Sequence, residues 1–169
     1  MGITGRTTNE NPSDEWCTPQ DLWDKLNSQY HFTCDAAATD INTKITSEYW
    51  TKDCSFLDYV WNTIEPATIW CNPPFTSAGK FIEKLDKISI GNVSSVAIYR
   101  ADNMETKTWR HIFDSASWIF IFSKRIQYSI DGGEIGCPFG SALIGYNCNP
   151  PKGLEGVLLK DWDRIDADK

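Results

Sequence analysis

The hydrophobic and polar positions of the chain follow two alternating patterns. Apolar residues at helical spacing predict three helices, over residues 18–30, 77–88 and 104–113. Short apolar runs predict strands over residues 31–35, 67–71, 93–100, 117–122, 125–130 and 141–147, with an edge strand over 156–162. Residues 42–50 fit either a turn or a short helix. Helices between apolar strands are typical of an α/β protein with a mostly parallel sheet, and the adjacent strands near the C-terminus predict an antiparallel edge.

The length of 169 residues and a hydrophobic content of 41% indicate one domain with a substantial core. We expect a flexible N-terminal arm over residues 1–14, a single domain over 15–162 and a charged tail over 163–169. At the start of the first helix Thr18 stands in a capping position. Pro19 suits the first helical position, and Asp21 completes a Thr-x-x-Asp capping box.

Polar side chains stand at the ends of two predicted strands. Asp35 follows "HFTC", and Asn72 follows "TIWC". In open α/β sheets, ligands bind beyond the carboxyl ends of the strands. We therefore expect Asp35 and Asn72 to lie in one crevice and to form a site.

The sequence Asn-Pro-Pro occurs twice, in "WCNPPF" and in "YNCNPPKG". Asn-Pro is a common turn opener, so the tripeptide by itself fits a plain turn. The first copy is followed by Phe75, which can stack on a flat ring, whereas the second is followed by Lys152. The Asn72 side-chain oxygen and the Pro73 carbonyl can accept both hydrogens of an amino group. Such acceptors favour the pyramidal amine that attacks an electrophile, so the pattern fits a receptor for adenine or cytosine.

The formal net charge of −7 argues against a nucleic-acid partner, but its distribution does not. Residues 76–130 carry 8 Lys/Arg and 5 Asp/Glu, a net charge of +3, whereas the segments on both sides are acidic. A basic strip beside the Asn-Pro-Pro-Phe loop can hold phosphates. A solvated helix face or local ion pairs are the alternative. The candidate nucleic-acid contacts are Lys80, Lys84, Arg100 and Arg125.

Six scattered cysteines and two histidines form no metal-binding pattern, so we expect reduced thiols and no metal. The polar first residues lack the apolar segment of a secretory signal. No run of about 18 apolar residues predicts a membrane span. These features predict a cytoplasmic protein without a membrane partner. The sequence does not indicate an oligomeric state.

Several motifs, in order and spacing, resemble those of the phage and prophage Dam-like DNA N6-adenine methyltransferases. "DEWCTPQDLWDKLN" is similar to the family's Trp-x-Thr-Pro motif and its helix, "FTCDAAAT" to its cofactor motif and "WCNPPF" to its catalytic motif. Asn42, Lys44 and Tyr49, then "DCSFLDYVW", and finally "KRIQYSIDGGEIGCPFGSALI" resemble further blocks. The resemblance covers nearly the whole chain. "DAAAT" lacks the glycines usual in methyltransferases, so its alanines must leave room for the cofactor.

The resemblance implies a Rossmann-like methyltransferase fold that uses S-adenosylmethionine and releases S-adenosylhomocysteine. It implies methylation of the N6 amine of adenine in double-stranded DNA, with the target base flipped out of the stack. A phage-encoded enzyme of this kind would act in the host cytoplasm.

The resemblance also implies roles for individual residues. The catalytic loop would hold the adenine through Asn72, Pro73 and Phe75, with Pro74 fixing its shape. The cofactor contacts would be Trp16, Thr18 and Pro19 at the methionine end, Asp35 at the ammonium with Ala36 beside it, and Asp53 at the ribose or adenine end.

Two other functions fit the same residues. A cytosine or RNA-base amino-methyltransferase would need the same amine receptor. A degenerate methyltransferase fold that only binds nucleic acid or protein would fit the acidic surface.

Overall fold

The computed structural model of the protein describes residues 12–40, 42–62, 64–130 and 133–161. The predicted tail over residues 163–169 and most of the predicted arm lie outside these ranges. The last residues of that arm belong to a short 3-10 helix, Pro12–Glu15.

Three α-helices follow the predicted apolar periodicity: α1 (Gln20–Tyr30), α2 (Ala78–Ile88) and α3 (Lys107–Ser115). The strands are β1 (Cys34–Asp35), β2 (Ala67–Cys71), β3 (Val93–Arg100), β4 (Trp118–Phe122), β5 (Ser129–Ile130), β6 (Gly133–Glu134), β7 (Ser141–Tyr146) and β8 (Gly156–Asp161). The predicted element types are therefore confirmed for all three helices and most strands. Residues 42–50 contain no helix in the part that the structure describes.

Six of the strands form one mixed sheet in the order β1-β2-β3-β7-β4-β8. The pairs β1–β2 and β2–β3 are parallel, and the pairs made by β7 and β8 are antiparallel. Four strands, β1 to β4, consequently point in the same direction, and β8 forms the edge that the sequence predicts. The antiparallel region reaches further inward than expected, because β7 inserts between β3 and β4.

The composition of β7 and one of its glycines fit its central position. All six residues of "SALIGY" are buried, as suits a central strand with both faces covered. A Cβ atom at Gly145 would lie only 2.0 Å from the Trp118 ring on the neighbouring strand β4. A glycine is therefore needed for β7 to pack against this tryptophan.

The sheet separates two hydrophobic cores. The apolar faces of α2 and α3 pack on one side through residues such as Phe81, Leu85 and Ile112. Helix α1 packs on the other side through Leu22, Trp23 and Leu26. Because β1 and β2 are parallel, their last residues lie at the same edge of the sheet.

Two predicted strands are shorter than expected. Only residues Cys34–Asp35 of the predicted strand 31–35 are in β1. The predicted strand 125–130 does not join the main sheet; its last two residues pair with β6 in a separate hairpin. In the described ranges no helix combines the length and the apolar character needed to cross a membrane.

Candidate active site

A cavity of about 510 Å³ opens where β1 and β2 end. Asp35 and Asn72, which the sequence predicts to share a crevice, both line it. The parallel pairing of β1 with β2 explains this, because it brings the carboxyl ends of both strands to one edge of the sheet. The cavity wall also includes Trp16, Thr18, Ala36, Ala37, Ala38, Trp50, Leu57, Pro74 and Phe81.

Asp35 provides a buried carboxylate in this cavity. Its side chain is only 3% exposed, and it accepts a hydrogen bond from the Ala37 backbone N–H at 3.1 Å. Burial raises the pKa of the Asp35 carboxyl to about 6, although the bond from Ala37 and the positive charge of Lys44 act in the opposite direction. A carboxylate that has lost its water in this way is a suitable partner for an ammonium group.

The alanines after Asp35 leave space for a ligand, as the sequence analysis expected of a motif without glycines. Ala36, Ala37 and Ala38 all line the cavity. The Ala36 N–H donates to the Trp70 carbonyl at 2.9 Å, and the Ala38 N–H to the Trp50 carbonyl at 2.8 Å. The backbone is therefore fixed, and only small methyl groups project from it.

Thr18 does not cap α1, contrary to the sequence prediction. The N-cap residue is Pro19, which makes no side-chain cap hydrogen bond. Thr18 is instead 3% exposed and lines the cavity, and its buried hydroxyl oxygen has no hydrogen-bond partner among the residues that the structure describes. A buried hydroxyl without a partner is costly, so a ligand that bonds to it would remove a penalty.

Asn72 is held by the segment that precedes α1. Its amide nitrogen donates to the Trp16 carbonyl at 2.6 Å, which leaves the side-chain oxygen as its accepting end. Asp14 bonds the next part of the same loop, accepting from the Thr76 N–H at 3.2 Å and from the Thr76 hydroxyl at 2.8 Å. We call residues 14–18 the N-terminal strap, because they line the cavity and also hold the Asn-Pro-Pro-Phe loop.

Phe75 lies beside the cavity wall in an aromatic cluster. Its ring meets Trp16 edge-on at 5.7 Å and Phe139 edge-on at 5.4 Å. Trp16 and Phe139 stack at 5.6 Å with an angle of 14°. The Arg100 guanidinium lies over the Phe139 ring at 4.6 Å and over Phe75 at 5.7 Å. Phe139 belongs to the segment "KRIQYSIDGGEIGCPFGSALI", which resembles a block of the family. The residues around it in the sequence did not indicate that its ring would pack against Phe75 and Trp16.

The predicted DNA contacts fall into two groups. Lys80 and Arg125 are exposed. Lys84 instead donates to three backbone carbonyls, and Arg100 forms a two-point ion pair with Asp102. The Lys84 ammonium therefore already has three hydrogen-bond acceptors within the chain.

Three other predicted residues are not among the described residues that line the cavity. They are Pro19, Pro73 and Asp53. Pro19 precedes α1, and its carbonyl accepts from the Trp23 N–H at 3.0 Å. Pro73 is buried, and Asp53 is exposed beside the lining residues Lys52 and Ser55.

The fold and the site together define a class: an α/β protein with a ligand cavity at the carboxyl ends of its parallel strands, next to an Asn-Pro-Pro-Phe loop. A model of the DNA N-6-adenine-methyltransferase (Dam) family matches residues 5–137. The chain therefore belongs to the DNA N-6-adenine-methyltransferase (Dam) family, and this membership supports DNA adenine methylation as its general activity. No curated protein matches the chain. The residues that the structure describes contain no group of three or more His, Cys, Asp or Glu placed to hold a metal ion.

Proposed function

We propose that the protein transfers a methyl group from S-adenosylmethionine to the N6 amine of adenine in DNA. S-Adenosylmethionine would supply an electrophilic methyl group and would leave as S-adenosylhomocysteine. The observation that carries the proposal is the position of Asp35 and Asn72 in one cavity, since the first suits an ammonium and the second an aromatic amine.

The residues around Asp35 fit such a cofactor. The buried carboxylate would pair with the ammonium of its methionine part, and the Thr18 hydroxyl would gain the hydrogen-bond partner that it lacks. Ala36 and the two alanines after it leave the necessary room. Trp16 would border the same end of the cofactor.

Asn72 would act on the target amine. Its own amide nitrogen is bonded to the Trp16 carbonyl, so its oxygen is already oriented before the base arrives. This oxygen and the Pro73 carbonyl would accept the two amine hydrogens and stabilise the positive charge that develops on nitrogen during transfer. Phe75 would stack on the adenine, which must leave the duplex to reach the loop.

The remaining details of the proposal rest on the resemblance to phage sequences. A phage-encoded enzyme would act in the host cytoplasm, and the six free cysteines agree with a reducing compartment. We propose the exposed residues Lys80 and Arg125 as phosphate contacts.

The proposed role of Asn72 predicts a selective loss of chemistry. We expect Asn72→Ala to lower the single-turnover rate of DNA methylation by about 100-fold or more, because a preorganised acceptor is removed. Binding of S-adenosylmethionine should persist. The measurement is methylation of unmethylated duplex DNA by each purified variant, followed by mass spectrometry of the nucleosides.

The second Asn-Pro-Pro sequence provides the control. The Asn149 side chain is exposed, and Asn149→Ala should leave the rate nearly unchanged. If the two substitutions lower the methylation rate equally, the Asn-Pro-Pro-Phe loop is a turn without a catalytic role. Three other results would contradict the proposed reaction. These are methylcytosine as the product, activity on RNA alone, and a wild-type protein that binds DNA without methylating it.

A further inference from the structure

Lys84 has an unusual set of partners for a lysine on a helix. Its ammonium donates to the backbone carbonyls of Phe56, Leu57 and Tyr59 at 2.5, 3.1 and 2.5 Å. It also lies 4.8 Å from the centre of the Phe56 ring, within range of a cation–π contact. All three ammonium hydrogens are thereby used inside the chain.

The carbonyls belong to one turn, residues 55–59, which forms part of the cavity wall. Ser55 and Leu57 line the cavity, and the Leu57 N–H donates to the Ser55 hydroxyl at 3.2 Å. On the other side of the contact, Phe81 lies one turn before Lys84 on α2 and lines the same cavity. Lys84 therefore joins two walls, one from the helix and one from the turn.

Electrostatics explain why this turn needs a cation. Three carbonyl oxygens that converge on one point place their negative dipole ends together, and a positive charge among them removes the repulsion. Burial lowers the pKa of the Lys84 ammonium, and the nearby Asp58 carboxylate acts in the opposite direction. The lysine thus performs the task that a bound cation performs in other carbonyl-lined turns.

We propose that Lys84 is a positioning residue for the cofactor cavity, where it holds the turn 55–59 against α2. It does not contact the cofactor, and it is not a phosphate ligand. This inference rests on the proposed function only in naming S-adenosylmethionine as the ligand of the cavity.

Lys84→Met tests the inference, because methionine keeps much of the side-chain length and removes every donor. We expect the affinity for S-adenosylhomocysteine, measured by calorimetry, to fall about tenfold or more, as for the loss of hydrogen bonds to a charged group. Hydrogen exchange of the amides in residues 55–61 should become faster. The salt dependence of duplex DNA binding should stay as in the wild type.

Lys87→Met is the matched control, since Lys87 is an exposed lysine on the same helix. It should change neither the affinity for S-adenosylhomocysteine nor the exchange of the turn. If Lys84→Met fails to fold, Lys84→Gln retains two N–H donors and should show the same changes at smaller size.

Two results would overturn the inference. Wild-type exchange in residues 55–61 of Lys84→Met would show that the lysine does not hold the turn. Unchanged affinity for S-adenosylhomocysteine together with a weaker salt dependence of DNA binding would make Lys84 a phosphate contact. If the wild type itself does not bind S-adenosylhomocysteine, the proposed function fails, whereas hydrogen exchange still tests the contact between Lys84 and the turn.

Discussion

At the scale of single residues, the buried carboxyl of Asp35 destabilises the folded protein but favours the binding of a ligand ammonium. Burial raises the pKa of its carboxyl from 3.8 to about 6, so the native protein holds a proton on this group more readily than the unfolded chain does. Between these two pH values the group makes the folded state less stable as the pH rises. Above pH 6 the full cost of a buried carboxylate is present, and a ligand ammonium can offset it.

This conflict predicts opposite effects of Asp35→Asn. At pH 7 the free energy of unfolding of the ligand-free protein should rise by on the order of 2 kcal/mol, because the buried charge is gone. Affinity for S-adenosylmethionine should fall by about 1.5–3 kcal/mol through loss of a charged hydrogen bond. Urea denaturation at pH 5 and 7 and calorimetry measure the two effects.

Asp21→Asn is the control for this pair of measurements, since Asp21 is exposed on α1. It should alter neither quantity appreciably. A destabilised Asp35→Asn variant, or one that still binds S-adenosylmethionine normally, would contradict the assignment of Asp35.

The sequence predicted Asp35 and Asn72 because both end apolar strands, and a strand end is a local feature. It wrongly predicted that Thr18 caps α1, because a threonine before Pro19 satisfies the local rule for a helix cap. Its burial and its missing partner depend on the cavity, which several distant segments of the chain form. The contacts of Lys84 were not predicted for the same reason, since the carbonyls that hold it lie 25 to 28 residues earlier in the chain.

At the scale of elements, the N-terminal strap connects the cofactor cavity with the Asn-Pro-Pro-Phe loop. Asp14 bonds Thr76, and Trp16 bonds Asn72. The strap therefore holds the loop in its orientation through these hydrogen bonds, while the end of β2 fixes the residue at which the loop begins. The sequence predicted a flexible arm up to residue 14, so this contact was not expected. A polar segment has no apolar periodicity from which its partner could be inferred.

The strap predicts that Asp14 and Thr76 act as a unit. We expect Asp14→Ala to reduce the single-turnover rate by up to about 100-fold, because a small displacement of a positioned group lowers the rate steeply. Thr76→Val should have a smaller effect, since the Thr76 N–H still reaches Asp14. A double-mutant cycle on methylation rates measures their coupling, and fully additive effects would show that the strap does not orient the loop.

Helices and most strands could be predicted because their apolar periodicity is local, but the strand order could not. β7 pairs with β3 and β4, and these pairings depend on close packing such as that of Gly145 against Trp118. The short pairing of Ser129–Ile130 with β6 also depends on contacts outside the segment. Apolar periodicity predicts whether a segment is a helix or a strand, but it does not predict which strands pair with each other.

At the scale of the whole molecule, an acidic protein must bind an acidic substrate. The formal net charge is −7, and two of the four expected DNA contacts are used inside the chain. Arg100 is paired with Asp102, and Lys84 holds the turn 55–59. DNA binding should therefore depend on a small number of exposed cations, with Lys80 placed nearest the start of α2 after the Asn-Pro-Pro-Phe loop.

This charge distribution predicts a specific salt dependence. Each phosphate contact contributes about 0.9 to the slope of log K against log salt concentration for duplex DNA. We expect Lys80→Glu to weaken duplex binding and to reduce that slope by about 0.9, without changing the affinity for S-adenosylhomocysteine. Lys87→Glu makes the same charge change roughly 10 Å further along the helix, and should weaken binding less. Fluorescence anisotropy over a salt series measures both slopes. Equal slopes for the two variants would show that Lys80 acts only through the overall charge, and that the phosphates are held elsewhere.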